Sequence, residues 1–180
     1  NGTGISNTSG SGNTYIGNAA GQQINSPNST LGKNNTMIGN AAGQIGRHAL
    51  EHVAIGLSAA RQSKQIYSVS IGSNAHTAMT SGSYNVAIES VFSNYKTGSS
   101  NFFVGGRAGF NNAGTGTRDV GTNNIAFGGY AMAGDSGNFN GGDHNFFVGH
   151  QAGYAATNCD YTIALGYKAG RSIGDGSDRN

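Results

Sequence analysis

One short phrase constrains this chain more than any other feature, because the chain keeps repeating it. Asn145-Phe146-Phe147-Val148-Gly149-His150-Gln151-Ala152-Gly153 recurs almost unchanged as Asn101-Phe102-Phe103-Val104-Gly105-Gly106-Arg107-Ala108-Gly109 and as Asn35-Thr36-Met37-Ile38-Gly39-Asn40-Ala41-Ala42-Gly43. Looser copies begin at Asn13, His52, Ser68, Asn85, Asn124 and Thr162. The anchoring apolar residue of each copy falls at Ile16, Ile38, Ile55, Ile71, Ile88, Val104, Phe127, Val148 and Leu165, at spacings of 22, 17, 16, 17, 16, 23, 21 and 17. A basic unit of 16–17 residues with three insertions fits these intervals. A fixed short period makes each copy one structural unit stacked on its neighbours.

The unit reads Asn-b-c-d-Gly-x-x-Ala. In a strand, b and d point to the same face and c to the other. Position b is Thr14, Thr36, Val53, Val69, Val86, Phe102, Ile125, Phe146 or Ile163, and d is always aliphatic or Phe. This β-branched and aromatic row suits stacked parallel strands facing a narrow core. Position c alternates between small and large (Tyr15, Met37, Ala54, Ser70, Ala87, Phe103, Ala126, Phe147, Ala164) and is expected to face away from the coil interior, toward solvent or another chain. Glycine after d lets the chain turn a sharp corner, and the alanine three residues later permits close approach on the far wall. The expected fold is all-β, a parallel β-roll or β-solenoid of about nine short coils, forming a rod of roughly 40 Å at about 4.8 Å per coil.

Residues 13–170 form the repeat domain, after an N-terminal connection at 1–12 and before a tail, neck or linker at 171–180. Inserted loops are expected at 22–33, which holds Pro27, and at 110–121 and 133–143. The fifth copy has Glu89 for the glycine and Phe92 for the alanine, so that coil is expected to swell or open. Only 36% of the chain is hydrophobic, but a single proline, 10% charged residues and a regular apolar beat argue against disorder. A coil this thin buries little, so the chain is expected to need sister chains, with position c packed between them.

Val53-Ala54-Ile55-Gly56, Ser68-Val69-Ser70-Ile71-Gly72 and Asn85-Val86-Ala87-Ile88 resemble the head repeat of YadA-like trimeric autotransporter adhesins. The Asn-Thr-x-Ile-Gly-Asn-Ala-Ala-Gly and Asn-Phe-Phe-Val-Gly-x-x-Ala-Gly forms resemble repeats of phage tail-fibre proteins. The resemblance covers about residues 13–170 and implies a left-handed roll packed side by side as a homotrimer. The longer unit and its loops lean toward the tail-fibre form. That implies a host-attachment segment of a fibre or spike, on a virion or at a cell surface, meeting a host glycan or protein. The alternative is an adhesin head that binds host or matrix protein.

Enzymatic chemistry has little support. No Walker-type loop, zinc spacing or nucleophile elbow occurs, and Gly114-Thr115-Gly116-Thr117 lacks the strand–helix context of a phosphate cradle. Eight acidic residues without a repeated partner weigh against a fibre-borne polysaccharide depolymerase. His48, His52, His76, His144 and His150 are not at ligand spacing, and Asp135, Asp143, Asp160, Asp175 and Asp178 read as turn acids rather than a calcium site. No metal or cofactor is expected. A net charge of +2 with scattered basic residues gives no nucleic-acid footprint, and no apolar run reaches membrane-spanning length. The lone Cys159 excludes an internal disulfide. Asparagines, including those of the Asn7, Asn28 and Asn34 triplets, read as turn and stacking residues. Receptor-binding candidates are the aromatics Phe110, Tyr130, Phe139 and Tyr154, since exposed rings stack on sugars and anchor interfaces. Interchain candidates are the c residues Phe103, Phe147, Tyr15 and Met37.

Overall fold

The structure, a computed structural model, describes residues 2–3, 10–23, 32–44, 49–62, 64, 66–77, 79, 81–89, 97–110, 120–134 and 141–173. Among these residues the chain is all-β, without a helix. Nine strands form one parallel sheet in strict chain order: β1 (Thr14–Ile16), β2 (Thr36–Ile38), β3 (Val53–Ile55), β4 (Val69–Ile71), β5 (Val86–Ile88), β6 (Phe102–Val104), β7 (Ile125–Phe127), β8 (Phe146–Val148) and β9 (Ile163–Leu165). Each strand is the b-c-d triplet of one repeat. The register places b on b, c on c and d on d from end to end. The molecule is a β-solenoid with one short strand per repeat.

Strands of three residues hold only because other lines of hydrogen bonds run parallel to them. The residue before the first position of a repeat bonds to the preceding coil, as in Glu51 N–H to Lys33 O at 2.9 Å and Tyr67 N–H to Leu50 O at 2.8 Å. Turn residues add a further line, including Gly43 N–H to Ala59 O at 2.8 Å and Met132 N–H to Ala152 O at 2.8 Å. Short turn bonds such as Ala108 N–H to Gly105 O at 2.9 Å close each corner, but the strands are satisfied along the stacking direction, so ordering one coil templates the next.

The sidedness of the strands is the reverse of the sequence expectation. Position c faces the coil interior: Met37, Ala54, Ser70, Ala87, Phe103, Ala126, Phe147 and Ala164 are buried within the single chain, and Tyr15 is half-buried. The b and d residues face out, with Ile163 62% and Phe127 51% exposed. Phe103, Phe147 and Met37 are therefore core residues of their own coils, not interchain contacts. Tyr15 packs on the buried Ala20–Met37–Ala42 cluster, and burial pushes its phenol up to about 12. The reason is width. Opposite the strand lies a wall of buried alanines (Ala20, Ala42, Ala59, Ala75, Ala108, Ala131, Ala152), so the slot admits one strand side chain per coil.

The size of that side chain is matched six residues later. Large c residues lie over glycine: a Cβ on Gly43 would come within 2.5 Å of Met37 Sδ, and on Gly109 within 2.5 Å of the Phe103 ring. Gly21 and Gly153 stand in the same relation to Tyr15 and Phe147. Small c residues meet larger partners: Ala54 with Ala60, Ser70 with His76, Ala126 with Met132. Ala164 keeps a glycine, Gly170, and the Ile173 side chain approaches there instead. The alternation at c is a volume balance inside each coil.

The repeat asparagines form a buried polar ladder at the strand entrance. Asn35, Asn101, Asn124 and Asn145 donate their backbone N–H to the side-chain oxygen of the repeat residue one coil before, at 2.8, 3.0, 2.9 and 2.9 Å. The side-chain amides of Asn85, Asn101, Asn124 and Asn145 in turn donate to the carbonyls of Gly98, Gly121, Gly142 and Cys159 at 2.6–2.9 Å. Each amide thus replaces the backbone partners that a chain leaving one strand and entering the next would lose.

After d, Gly39 adopts φ 130° and a Cβ there would stand 2.5 Å from Gly56 O in the next coil. Only glycine tolerates both the angle and the approach. Glu89 meets the same need differently, at φ 55°, an angle open to a side-chain-bearing residue. Its N–H still reaches Ile71 O at 2.7 Å, and Ile88 O still accepts from Gly105 N–H at 3.0 Å. The strand ladder therefore passes through Glu89, while residues 90–96, where that coil is expected to swell or open, lie outside the described residues. Phe92, Pro27 and most of the three inserted loops lie outside the described residues.

Candidate functional site

The turns that follow β6, β7, β8 and β9 carry a connected set of rings and cations on the outside of the coils. Each turn has a left-handed residue two positions after its glycine: Arg107, Tyr130, Gln151 and Lys168, with φ between 56° and 61°. In-register stacking sets these positions above one another, as Tyr130 N–H to Gly106 O (3.0 Å) and Lys168 N–H to His150 O (3.0 Å) record. A side chain in one turn therefore meets the equivalent side chain in the next.

Arg107 begins the set. Its guanidinium carbon lies 5.2 Å from the Phe110 ring centre and 5.5 Å from that of Tyr130, and its Nη1 donates to the Tyr130 hydroxyl at 3.1 Å. Tyr130 meets His150 and Tyr154 edge-on, at 6.1 and 6.3 Å between ring centres. His150 stacks on Tyr167 at 5.8 Å, and the Lys168 ammonium lies 4.8 Å from that same tyrosine ring. Arg171 lies 5.3 Å from the Tyr154 ring. Such contacts fix long cationic side chains against ring faces. Tyr167 is 69% exposed, and Arg107, His150, Lys168 and Arg171 are exposed with it.

Three of the four receptor-binding candidates, Phe110, Tyr130 and Tyr154, meet in this strip, while Phe139 lies outside the described residues. Sequence reading missed Arg107, His150, Tyr167, Lys168 and Arg171. The signal was available in columns: aligned on the repeat glycine, these residues share the first, second and fifth turn positions with the chosen aromatics. The first four coils carry Asn18, Asn40, Leu57 and Asn74 in those columns, with Gln22, Gln44 and Arg61 hydrogen-bonded in a row at 2.9 and 3.1 Å.

A second outer feature runs the length of the sheet. The b and d residues form two parallel rows, all apolar except Thr14 and Thr36. At about 4.8 Å per strand and roughly 7 Å between b and d, this face measures about 40 Å by 10 Å. Ile16, Phe102, Ile125, Phe127, Phe146, Ile163 and Leu165 are the most exposed.

The other residues weighed for chemistry have structural places. Asp143 Oδ1 accepts from Thr122 N–H at 2.7 Å, and Asp160 Oδ1 accepts from Asp143 N–H at 2.6 Å, so both acids cap the stacking direction. His144 stacks on Tyr161 at 4.8 Å. His52 and His76 are buried on either side of Ser70, whose Oγ lies 3.1 Å from His52 Nε2 and 2.7 Å from His76 Nδ1. Burial first, then the nearby His52, holds the His76 imidazole well below the ordinary histidine value. No group of three or more His, Cys, Asp or Glu among the described residues is arranged to hold a metal ion. No described helix is long and apolar enough to cross a membrane. His48, Asp135, Asp175, Asp178 and Gly114–Thr117 lie outside the described residues. Comparison with protein-family models, curated proteins and solved structures gives no match for this chain.

Proposed function

We propose that this chain is a structural, host-attachment segment of a trimeric phage tail fibre or spike, placed on a virion or at a cell surface and without catalytic activity of its own. Three left-handed rolls pack side by side, each turning its apolar b/d face toward the others. The aromatic–cationic strip stays on the outside to meet a receptor. The observation that carries this reading is the apolar face itself. A chain poor in hydrophobic residues places the Val, Ile, Leu and Phe of its b and d positions outside its own coils, in two rows interrupted only by Thr14 and Thr36. A contiguous apolar face of this length marks an interaction surface, and one aligned with the rod axis suits other rods of the same pitch. The number three follows the resemblance of the repeat to fibre and adhesin-head repeats.

The mass in solution tests the reading. Light scattering after size exclusion should give three times the 18.2 kDa chain mass. A stable single chain at working concentration overturns it. A bacterial adhesin head is the second reading, favoured by the uninterrupted run from β2 to β6, where Val-Ala-Ile and Val-Ser-Ile coils follow at 16–17 residues. A membrane-anchor barrel encoded downstream in the parent gene would select the adhesin. A virion-attachment domain would select the fibre.

A further inference from the structure

We infer that the strip over the turns after β6 to β9 binds an acidic polysaccharide, a chain of sugars bearing carboxylates, laid along the stacking direction. This rests on the attachment reading and names its ligand class. Sugar rings present apolar C–H faces that pack on aromatic rings, which Phe110, Tyr130, Tyr154 and Tyr167 supply. The cations supply the second requirement. Arg107 and Arg171 lie over ring faces at 5.2–5.5 Å, a pose that fixes the guanidinium while leaving its edge suited to a carboxylate.

Residues 105–110, 128–134, 149–156 and 166–173 contain Arg107, Lys168, Arg171 and His150 but no Asp or Glu. Among the described residues of those turns the positive charge has no carboxylate beside it, and it complements an anion. The turns after β1 to β4 carry mostly amides and small residues in the same columns, with Leu57 and Arg61 the exceptions, so the joined set of rings and cations is concentrated in the later turns. Four rungs at about 4.8 Å set rings and cations along a line roughly 14 Å long, a repeating surface for a repeating ligand. A nucleic acid would need a denser row of cations to match its phosphates, and the whole chain carries only +2.

The test is surface-bound interferometry with the full chain in its assembled state. Probes are polygalacturonate, hyaluronate and polysialic acid, with dextran as a neutral polymer and oligo-dT as a non-sugar polyanion. At least one carboxylated polymer should bind ten times more tightly than dextran and oligo-dT, with affinity falling as salt rises. Arg107→Gln with Arg171→Gln should weaken that binding at least tenfold. Tyr130→Asn should do the same, Asn being chosen because it tolerates the left-handed backbone there. Circular dichroism matching the unaltered chain shows that the variants stay folded.

Equal binding of dextran, lost in Tyr130→Asn, overturns the charge argument while leaving the strip as a receptor surface. Oligo-dT binding as tightly as the acidic sugars reassigns the strip to nucleic acid. Silence across all the sugars, or binding indifferent to the variants, overturns the inference. The solution mass is independent of each outcome, so an error in ligand class is distinguishable from an error in the fibre reading.

Discussion

His76 occupies a place that glycine, alanine or methionine fills in other coils, and it brings a titratable ring into a dry slot. Its φ of 51° matches the 53° of Met132, and both lie opposite a small c residue, Ser70 and Ala126. Because its folded pKa is lowered below 6.5, the unfolded chain binds a proton more readily than the folded one. The folded state is therefore fully favoured above pH 6.5 and loses stability as pH falls below it, with a slope approaching about 1.4 kcal/mol per pH unit. Urea midpoints at pH 7.5 and pH 5.5 should differ accordingly, and His76→Met should shrink that difference. A pH dependence unchanged in His76→Met would show that the ring does not report its burial in this way. The same pairing predicts that Ala126→Phe alone overfills its coil, costing about 1–3 kcal/mol. Adding Met132→Gly, which recreates the Phe103–Gly109 pair, should recover most of that loss in thermal denaturation.

For the elements, the sequence was informative about period and poor about sidedness. The copies from Asn13 to Thr162 fixed all nine strands and their register, because one repeated phrase in one chain can stack in only one alignment. Three alternating residues, however, define two faces without marking which is inner. Polarity alone points the apolar b and d residues toward the core. The volume balance between c and the residue six further on would have settled it, since Phe103 with Gly109 and Ala126 with Met132 must share one enclosed space. At Glu89 the glycine position demands a positive φ, which the glutamate meets at 55°. Site residues were half legible. Phe110, Tyr130 and Tyr154 stood out as aromatics, whereas Arg107 and Arg171 gain meaning only when coils are laid over one another.

The asparagine ladder makes a prediction at this scale. Asn124→Leu is close in size but removes the acceptor for Asn145 N–H and the donor to Gly142 O, both in the next coil. Losing the buried partner of Asn145 N–H alone, at about 1–3 kcal/mol, should lower stability by at least that amount. Hydrogen exchange should show the loss first at Asn145 and its neighbours. Protection equal to that of the unaltered chain would mean that backbone stacking alone holds the coils.

For the whole molecule, the proposed trimer would use the apolar b/d face, which takes no part in filling the coil interior. Ile125 and Phe127 point out of the coil, so charging them leaves the interior of that coil intact. Ile125→Lys with Phe127→Lys should reduce the sedimenting mass from three chains toward one, while strand content by circular dichroism stays the same. An unchanged mass would place any interchain contact elsewhere on the rod.

The in-register stack also bears on how such a molecule can change over time. Every strand offers its neighbours the same register, and the described turns stack in line with it. A whole coil could therefore be gained or lost, as by slippage in the gene, without recutting any joint. Reach would then change in steps of about 4.8 Å, while the outward b/d face kept its width.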